Sequence, residues 1–402
     1  MLKVLFITWD GPQTSYMEGL FMPIFAAVAE KMDVEFHVLQ FSWASNEKIK
    51  MISQVAEEMG VQYSFHQINR NLHPVFGTLA SAWKGKSTIR KYVKDELIDV
   101  VMPRSTFPAI MSGLANLGPI KIIFDADGFP LEERVEFSGL NSKGFQYRLL
   151  KKLEKAFVRK ADVVLVRSKQ AIVMHKDVNP DLDTGKFVVV KNGRNPDQFK
   201  PCETRRIELR TAFKYAEHER VFVYCGSLGP QYEFDDMLKI FSTYEQMRPA
   251  KFLILTGNIE YATTRLPESL IGKIKVLNIP FQDVPFYLNT ADIAFALRRP
   301  SYSMQGVAPI KIGEYLLTGI PTIASKGIGD TEAILAHFPD SFLYDHDDPQ
   351  RIQIVVDWLL SQDLGKKSLI RQQAMSEVSL SAAADSYINA FRKVTNEGSN
   401  TN

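Results

Sequence analysis

The chain is poor in cysteine, in net charge and in long apolar runs. Its two cysteines in 402 residues have neither the spacing of a metal-binding motif nor the pattern of a disulfide framework. A formal net charge of +2 gives no reason to expect a nucleic-acid partner. No uncharged run approaches the ~20 apolar residues of a spanning helix, and the opening MLKVLFITWDG resembles a buried strand more than a signal peptide. We therefore expect a cytoplasmic protein, at most peripheral on the inner face of the cell membrane.

The chain is rich in a regular alternation of apolar strand segments and amphipathic helix segments. Lys3–Trp9 is predicted to be a buried strand and Tyr16–Lys31 a helix, and similar pairs follow. After a turn-rich break at Asn192 and Gly193, the pattern restarts with the strand Val221–Cys225. Such alternation predicts parallel sheets with helices on both faces, and 402 residues suit two domains. The predicted fold class is therefore α/β, with two doubly wound domains.

The segment Pro300–Ser325, PSYSMQGVAPIKIGEYLLTGIPTIAS, has the most informative pattern. It places Lys311 and Glu314 at the start of a predicted apolar helix, Ile310–Leu317, which Gly319 ends. Backbone N–H groups at a helix N-terminus attract anions, and a lysine adds a mobile positive charge. A glutamate accepts hydrogen bonds from paired hydroxyls. The pattern suits a ribose diol beside a diphosphate. The alternative is a capped amphipathic helix that leads into a buried strand.

The order Pro-x-Lys-x-x-Glu-Tyr-x-x-x-Gly-x-Pro-x-Ile resembles the nucleotide-sugar site of family 4 retaining glycosyltransferases (glycosyl transferases group 1). Four further segments resemble that family in order and spacing: VVVKNGRNPDQFKP (188–201), FVYCGSLGPQYEFDDML (222–238), NIPFQDVPFYLNTADIAFAL (278–297) and GIGDTEAI (327–334). The resemblance implies the GT-B fold, α/β with two Rossmann-like doubly wound domains facing across a cleft. It implies an acceptor-binding domain over residues 1–195, a nucleotide-sugar-binding domain over 196–380, and a C-terminal helix within 381–402 that returns to the first domain.

The chain departs from the common family pattern around the donor diphosphate. Many members have two glutamates eight positions apart, whereas Gly306 stands eight positions before Glu314 here. Many also carry an arginine and a lysine after the first glycine of the nucleotide-binding domain, where this chain has Ser227 and Tyr232. The chain is therefore similar to a subgroup in which Pro-x-Lys-x-x-Glu replaces the two-glutamate signature.

The resemblance and these departures together imply a set of donor-binding residues. Lys311, Arg298 and the backbone N–H groups around Gly226–Leu228 are expected to hold the diphosphate, because leaving-group charge must be neutralised. Glu314 is expected to hold the ribose. A solvated surface pair with Arg299 is the alternative for Arg298. The full set of expected substrate-binding residues is Gly11, Asn192, Gly226, Ser227, Arg298, Gly306 and Glu314.

Two loops of the first domain follow predicted strand ends and should approach the reacting groups. They carry Arg104 and Asp127, at positions where relatives often have a histidine. The resemblance implies catalytic roles for Asp127, Arg104 and Lys311, and a loop-capping aspartate is the alternative for Asp127. Asp125 and Asp127 also have a spacing that could hold Mg²⁺. We nevertheless expect no metal and no cofactor, because GT-B relatives do not need one.

Two basic stretches with interleaved apolar residues lie in the first domain. One is KGFQYRLLKKLEKAFVRK (143–160), and the other runs from Trp83 to Lys94. Basic amphipathic helices bind anionic lipid surfaces. Helical spacing predicts one exposed basic face in the first stretch, formed by Lys151, Lys152, Lys155 and Arg159. An anionic membrane surface is thus an expected partner, and a core helix with a solvated basic face is the alternative.

The function implied by the resemblance is sugar transfer with retention, of the hexosyltransferase type. The donor would be a UDP- or GDP-linked sugar, and the acceptor a glycan or polyprenyl-linked molecule in bacterial surface polysaccharide or lipopolysaccharide assembly. Two alternatives remain from the residues themselves. A nucleotide-sugar 2-epimerase shares the architecture, and a non-catalytic nucleotide-sugar-binding protein would explain Ser227 and Tyr232 in place of the basic pair.

Overall fold

A computed structural model of the protein describes residues 1–12, 14–68, 74–362 and 367–396. The chain forms two compact units. Unit 1 comprises Met1–Lys191 and Ala383–Asn402, and unit 2 comprises Asn192–Ala382. Of the C-terminal segment expected to return to the first domain, residues 397–402 lie outside the described residues.

Unit 1 contains a parallel sheet whose central strands are almost completely buried. Valine, isoleucine, leucine and phenylalanine dominate these strands because both sheet faces are covered by helices. In the described residues the sheet has seven strands in the order β3-β2-β1-β4-β5-β6-β7. Val4 on the central strand is paired with Phe36 on one side and Val100 on the other. The strands are β1 (Leu2–Asp10), β2 (Val34–Ser42), β3 (Gln62–Gln67), β4 (Val100–Pro103), β5 (Lys121–Asp125), β6 (Val163–Val166) and β7 (Phe187–Val189).

The helices of unit 1 follow the strands in the expected alternation. A π-helical turn, Met17–Phe21, leads into α1 (Met22–Ala29). Contacts between α4 and α6 include Phe157, which lies against Gly113. The remaining helices are α2 (Asn46–Glu58), α3 (Pro74–Asp95), α4 (Thr106–Ala115), α5 (Pro130–Phe137), α6 (Phe145–Lys160) and α7 (Lys169–Val178).

Unit 2 repeats the doubly wound pattern with its own parallel sheet. In the part of the chain that the structure describes, this sheet has six strands in the order β10-β9-β8-β11-β12-β13. The order reverses beside β8, and ligands of open α/β sheets bind beyond the carboxyl ends of strands at such a point. The strands are β8 (Arg220–Cys225), β9 (Ala250–Leu255), β10 (Ile274–Leu277), β11 (Ile293–Ala296), β12 (Thr322–Ser325) and β13 (Phe342–Tyr344).

The helices of unit 2 include the predicted signature helix, which is confirmed. It is α12 (Ile310–Leu317), and Gly319 beyond it has a φ of +74°. The other helices are α8 (Glu203–Phe213), α9 (Phe234–Glu245), α10 (Ile259–Thr263), α11 (Val284–Leu288), α13 (Thr331–Leu335), α14 (Arg351–Ser361) and α15 (Lys367–Val378).

The last helix, α16 (Leu380–Asn396), contributes its residues from Ala383 onward to unit 1. Its Phe391 packs edge-on against Phe36 of β2, with ring centroids 5.6 Å apart. None of the helices in the described residues combines the length and the apolar composition needed to cross a membrane.

The predicted parallel α/β organisation is confirmed, but some elements were not predicted. The clearest omission is α8, which lies just after the turn-rich break. Its one buried residue is Arg210, whose guanidinium bonds to Asp292 at 2.6 Å. This helix is attached to the unit by an ion pair to a distant residue and not by an apolar stripe of its own. Hydrophobic periodicity therefore could not reveal it.

Candidate functional site

The signature helix of unit 2 brings Lys311 against the turn that follows β8. Lys311 Nζ lies 3.9 Å from the ring centroid of Tyr224, the penultimate residue of that strand. Gly226 begins the turn with a φ of +134°, a conformation that side chains rarely adopt. A Cβ atom at this position would lie 3.1 Å from Lys311 Nζ. Glycine is therefore required here both by the backbone and by the close approach of the ammonium group.

Lys311 is buried without an ion-pair partner in the part of the chain that the structure describes. Its Nζ makes no hydrogen bond, although the atom is inaccessible to solvent. Burial, followed by the nearby charge of Arg298, lowers the pKa of the Lys311 ammonium to about 7. A buried ammonium without a partner is costly, because no hydrogen bonds replace its hydration. The site is therefore prepared for an anion that the protein itself does not provide.

Arg298 adds a second positive charge beside Lys311. Its guanidinium lies 4.9 Å from the ring centroid of Tyr232, which also faces Lys311 Nζ at 5.0 Å. Arg298 Nε is buried without a hydrogen-bond partner among the described residues, and Nη1 lies 3.5 Å from the sulfur of Met304. The interpretation of Arg298 as half of a solvated surface pair is therefore wrong. Arg299 is the exposed residue, with its Nε 2.6 Å from Glu233 Oε1.

The turn after β8 also contains Ser227, the residue that stands where relatives often have an arginine. Ser227 is exposed, and its backbone carbonyl accepts a hydrogen bond from the Tyr224 hydroxyl. Tyr232 stands where relatives often have a lysine, and it forms an aromatic wall beside both cations. The geometry thus places two cations from β11 and α12 next to the turn that lacks the usual basic pair.

Glu314 lies one helical turn after Lys311 and forms a buried ion pair. Its Oε1 accepts a hydrogen bond from Arg194 Nε at 2.8 Å. Arg194 is itself anchored through its backbone N–H, which donates to the carbonyl of Val378 at 3.0 Å. Sequence reasoning missed Arg194. The signal that could have found it is its place directly after Asn192 and Gly193, in the segment that resembles the family.

Asn192 and Gly306 belong to the same part of unit 2. Asn192 Nδ2 donates to the carbonyl of Ala308 at 2.9 Å, in the loop that leads into the signature helix. Gly306 is buried at the end of a 3₁₀ turn, Ser303–Gly306, just before that loop. Of the expected site residues, unit 2 therefore gathers Asn192, Gly226, Ser227, Arg298, Gly306, Lys311 and Glu314 around the start of α12 and the carboxyl ends of β8 and β11.

Unit 1 has its own cluster of charged groups at the carboxyl ends of its strands. Arg104, just after β4, forms ion pairs with Asp127 and, at 3.4 Å, with Asp10. Its guanidinium also lies over the rings of Tyr16 and Phe21, at 5.1 and 4.9 Å. Burial disfavours this charge, but Asp127 and then Asp10 outweigh that effect and raise the pKa of the Arg104 guanidinium. Arg104 is therefore a fixed cation.

Asp127 is the most open member of this cluster. Its side chain is 30% exposed, and its φ of +49° lies in the left-handed region, which residues other than glycine seldom adopt. Ser105, next to Arg104, also has a positive φ, of +66°. Strained residues persist where surrounding contacts over-determine them, and they cluster at functional sites.

Asp125 is a different kind of residue from Asp127. It is completely buried, and both of its carboxylate oxygens accept hydrogen bonds from Arg167 Nη2, at 2.9 and 2.7 Å. The idea that Asp125 and Asp127 form a Mg²⁺ site is therefore wrong, because the Asp125 oxygens are committed to Arg167. Sequence reasoning missed both Arg167 and Asp10. Their positions at the ends of β6 and β1 were the available signal.

Gly11 follows Asp10 and contacts an aromatic ring. A Cβ atom on Gly11 would lie 3.3 Å from Cζ2 of Trp43. The glycine therefore permits close packing of the β1 loop against this indole. Its expected approach to a donor stays a prediction.

The basic helix α6 differs from the predicted arrangement at one position. Lys151 is not on the exposed face, because its Nζ lies 2.8 Å from Glu132 and 2.7 Å from Glu154. It turns inward because these two buried carboxylates need a counter-charge. Phe145 at the start of the helix is 77% exposed. The basic stripe instead consists of Arg148, Lys152 and Arg159, which are exposed, and of Lys155, which is partly exposed.

One group in the described residues brings possible metal ligands within 4.8 Å of each other: Glu233, Asp236 and His346. These carboxylates already have cationic partners. Arg299 pairs with Glu233, and Arg351 pairs with Asp236 at 3.1 Å. The group is therefore accounted for by ion pairs within the protein.

Residues 206–377 match the family model described as glycosyl transferases group 1. No curated protein sequence is a significant match to the chain. Among solved structures, the chain is similar to a glycosyltransferase from Rickettsia africae ESF-5, with a TM-score of 0.73, 15% identity, and 98% of each chain covered.

Two further structures have the same fold. Alr3699/HepE from Anabaena, in complex with UDP-glucose, gives a TM-score of 0.71 and 14% identity over 97% of this chain and 99% of that one. The lipopolysaccharide outer core galactosyltransferase WaaB gives 0.64 and 14% identity, with the same coverage. The predicted fold class, two Rossmann-like α/β domains as in GT-B glycosyltransferases, is confirmed. Residues 206–377 are thus similar to the family of glycosyl transferases group 1.

Proposed function

We propose that this protein is a retaining glycosyltransferase of the hexosyltransferase type. It moves a sugar from a nucleotide-diphosphate donor to a glycan or polyprenyl-linked acceptor. One observation carries the proposal: two cations, Lys311 and Arg298, stand side by side without a carboxylate partner in the described part of the chain, at the carboxyl edge of the unit 2 sheet. A diphosphate supplies the missing negative charge.

The donor contacts follow from that pair. Lys311 and Arg298 bind the diphosphate, and backbone N–H groups of the turn Gly226–Leu228 approach it from the end of β8. Ser227 contributes through its backbone or hydroxyl. Glu314, oriented by Arg194, accepts hydrogen bonds from the ribose hydroxyls.

The sugar would lie near the loop that precedes the signature helix. Gly306 has no side chain to reach a sugar hydroxyl, so the backbone N–H groups of that loop supply the contacts. Asn192 stabilises the loop by binding the Ala308 carbonyl. Gly11 in unit 1 has no side chain, so the backbone of the loop after β1 could approach the donor closely.

The chemistry is a front-face substitution. The acceptor hydroxyl attacks the anomeric carbon from the side on which the diphosphate departs. The bond between that carbon and the phosphate oxygen breaks, and the acceptor proton passes to the departing oxygen. Negative charge grows on the diphosphate in the transition state, and Lys311 and Arg298 stabilise it. Asp127 accepts a hydrogen bond from a sugar hydroxyl or stabilises the positive charge of the oxocarbenium-like sugar, and Arg104 helps to hold the sugar or the acceptor. No side-chain nucleophile, metal or cofactor takes part.

The proposed role is assembly of bacterial surface polysaccharide or lipopolysaccharide at the inner face of the cell membrane. WaaB, which has this fold, is a lipopolysaccharide galactosyltransferase, and HepE was solved with UDP-glucose. The exposed stripe on α6 and Phe145 at its start would supply electrostatic and apolar contacts with an anionic bilayer.

Donor turnover tests the proposal. The protein is incubated with UDP-glucose, UDP-galactose and GDP-mannose, and free nucleoside diphosphate and free sugar are measured. A transferase releases both slowly, since water replaces the acceptor, and NMR shows that the sugar is first released with the anomeric configuration of the donor. An isomerised nucleotide sugar would instead identify a 2-epimerase. Nucleotide binding without either product, for every donor tested and with added lipid-linked acceptors, would identify a binding protein.

A further inference from the structure

A chain of buried polar contacts links the C-terminal helix to Asp127. Tyr387 on α16 is completely buried, and its hydroxyl oxygen accepts a hydrogen bond from Arg167 Nη1 at 3.0 Å. Arg167 Nη2 donates to both oxygens of Asp125. Arg167 Nε lies 3.6 Å from Asp127 Oδ1 and makes no hydrogen bond. Every nitrogen of Arg167 is thus aimed at a different target.

These contacts determine the orientation of the Arg167 guanidinium. A guanidinium is planar, so fixing Nη1 on Tyr387 and Nη2 on Asp125 also fixes the direction of Nε. That direction is toward Asp127. Nε thus faces the partly exposed carboxylate of Asp127, whereas Nη2 binds the completely buried carboxylate of Asp125.

Asp127 therefore lies between two arginines from neighbouring strand ends. Arg104 binds its Oδ2, and Arg167 faces its Oδ1. The side chains of Arg104 and Arg167 are both buried, at 9% and 3% exposed, whereas that of Asp127 is 30% exposed. Asp127 is therefore the member of this group that a substrate can reach, and the two arginines hold it from opposite oxygens.

We propose that Tyr387 and Arg167 are positioning residues for Asp127. Arg167 presents a constant positive charge to Oδ1 of Asp127 while Arg104 binds Oδ2, so that both oxygens of the carboxylate are held in place. Tyr387 keeps Arg167 in the required orientation. This inference rests on the proposed function, in which Asp127 acts on the sugar or acceptor.

The competing explanation is structural. In this explanation Arg167 only neutralises the buried charge of Asp125. The Tyr387 hydroxyl then only accepts a hydrogen bond from Arg167 Nη1, which would otherwise have no partner. The two explanations differ in what happens when Asp127 itself is changed. A positioning role needs the Asp127 carboxylate, whereas neutralisation of Asp125 does not.

The test is a double-mutant cycle on donor turnover with Tyr387→Phe and Asp127→Asn. Phenylalanine keeps the ring of Tyr387 and removes only the acceptor. We expect Tyr387→Phe to lower kcat by about tenfold to a hundredfold, as misplacement of a reacting group does. The KM for the donor and the Kd for UDP or GDP should stay unchanged, because the nucleotide contacts lie in unit 2. In the Asp127→Asn background, Tyr387→Phe should have almost no further effect on kcat.

The matched control is Ser386→Ala, on the same helix. Ser386 Oγ accepts a hydrogen bond from the backbone N–H of Lys191 at 3.1 Å and does not contact Arg167. Its kcat should equal that of the wild type. If Tyr387→Phe does not fold, Arg167→Lys replaces it in the cycle. Lysine keeps the positive charge but lacks the planar guanidinium that bonds to several partners at once.

Three outcomes are distinguishable. A wild-type protein that turns over no donor contradicts the proposed function itself. A wild type that is active, with Tyr387→Phe equal to Ser386→Ala, overturns the inference alone. A loss of kcat that is the same with aspartate or asparagine at position 127 also overturns it, since the effect then passes through Asp125.

Discussion

Donor binding should be accompanied by proton uptake at Lys311. Burial and the charge of Arg298 lower the pKa of this ammonium to about 7. A bound diphosphate supplies the missing counter-charge and raises the pKa again. The protonated lysine is the form that binds the anion, so affinity should increase as the pH falls. A nucleotide sugar is the suitable ligand, because the terminal phosphate of a free nucleoside diphosphate itself titrates near pH ~6.

The size of the effect follows from that pKa. A group with a pKa of about 7 is about nine-tenths neutral at pH 8 and about one-tenth neutral at pH 6. Binding should therefore take up about 0.9 proton at pH 8 and about 0.5 at pH 7. The Kd should be about tenfold weaker at pH 8 than at pH 6, which corresponds to about 1.4 kcal/mol.

Calorimetry in two buffers of different ionisation enthalpy measures this uptake. Lys311→Met should abolish both the proton uptake and the pH dependence of Kd. Lys367→Met is a matched control, because Lys367 is another lysine of unit 2 whose pKa burial lowers, to about 8, while its Nζ binds the Ala291 carbonyl. Donor binding to Lys367→Met should show the same proton uptake and the same pH dependence of Kd as binding to the wild type. Wild-type binding without proton uptake at pH 8, or uptake that survives in Lys311→Met, would refute the reasoning.

Four further predictions concern stability, nucleotide binding and the membrane. Lys311→Met should raise the Tm of the ligand-free protein, and the gain should be larger at pH 6 than at pH 9. The reason is that a lysine whose pKa is lowered in the folded state destabilises the protein most at a pH below that lowered pKa. An equal gain in Tm at both pH values would contradict this prediction. Glu314→Gln should weaken binding of UDP or GDP by roughly 1.5–3 kcal/mol. That loss should shrink for the 2′-deoxy nucleotide, and an equal loss for both would mean that Glu314 only pairs with Arg194. Gly226→Ala should weaken binding at least about tenfold, since its Cβ would displace Lys311 Nζ; unchanged calorimetric affinity would exclude contact between the turn and the donor. Glutamine at the four residues of the α6 stripe should reduce binding to anionic vesicles by about three orders of magnitude, at about 1 kcal/mol per charge, and wild-type binding should weaken with salt. Vesicle sedimentation measures this loss. The control variant has glutamine at four exposed basic residues of unit 2, namely Arg205, Lys214, Lys239 and Arg248. An equal loss of binding in this control would contradict the prediction.

The sequence alone was sufficient for the α/β class and for the position of the signature helix. Apolar strands separated by amphipathic helices have few alternatives to a parallel sheet. In such a sheet the carboxyl ends of all strands lie at one edge, so residues that directly follow predicted strands are brought together in each unit. Arg104 and Asp127 were found for this reason, and both lie in the unit 1 cluster.

Only the tertiary structure decided which partner each charged side chain has. Arg194 pairs with Glu314 across 120 residues, and Arg167 with Tyr387 across 220. No local pattern encodes such a pairing, because it depends on which side chains the packing of distant elements brings within hydrogen-bond distance. Helical spacing likewise placed Lys151 on the basic face of α6, yet two carboxylates draw it inward.

Lys311 is the clearest case of this division. Its position at the start of a helix could be read from the sequence, because glycine and proline mark the helix boundaries. Its burial beside Arg298, without an ion-pair partner among the described residues, could not be predicted, because the end of β11 and the start of α12 meet only in the folded unit. The charge state of the lysine, and with it the expected response to a diphosphate, therefore belongs to the fold and not to the motif.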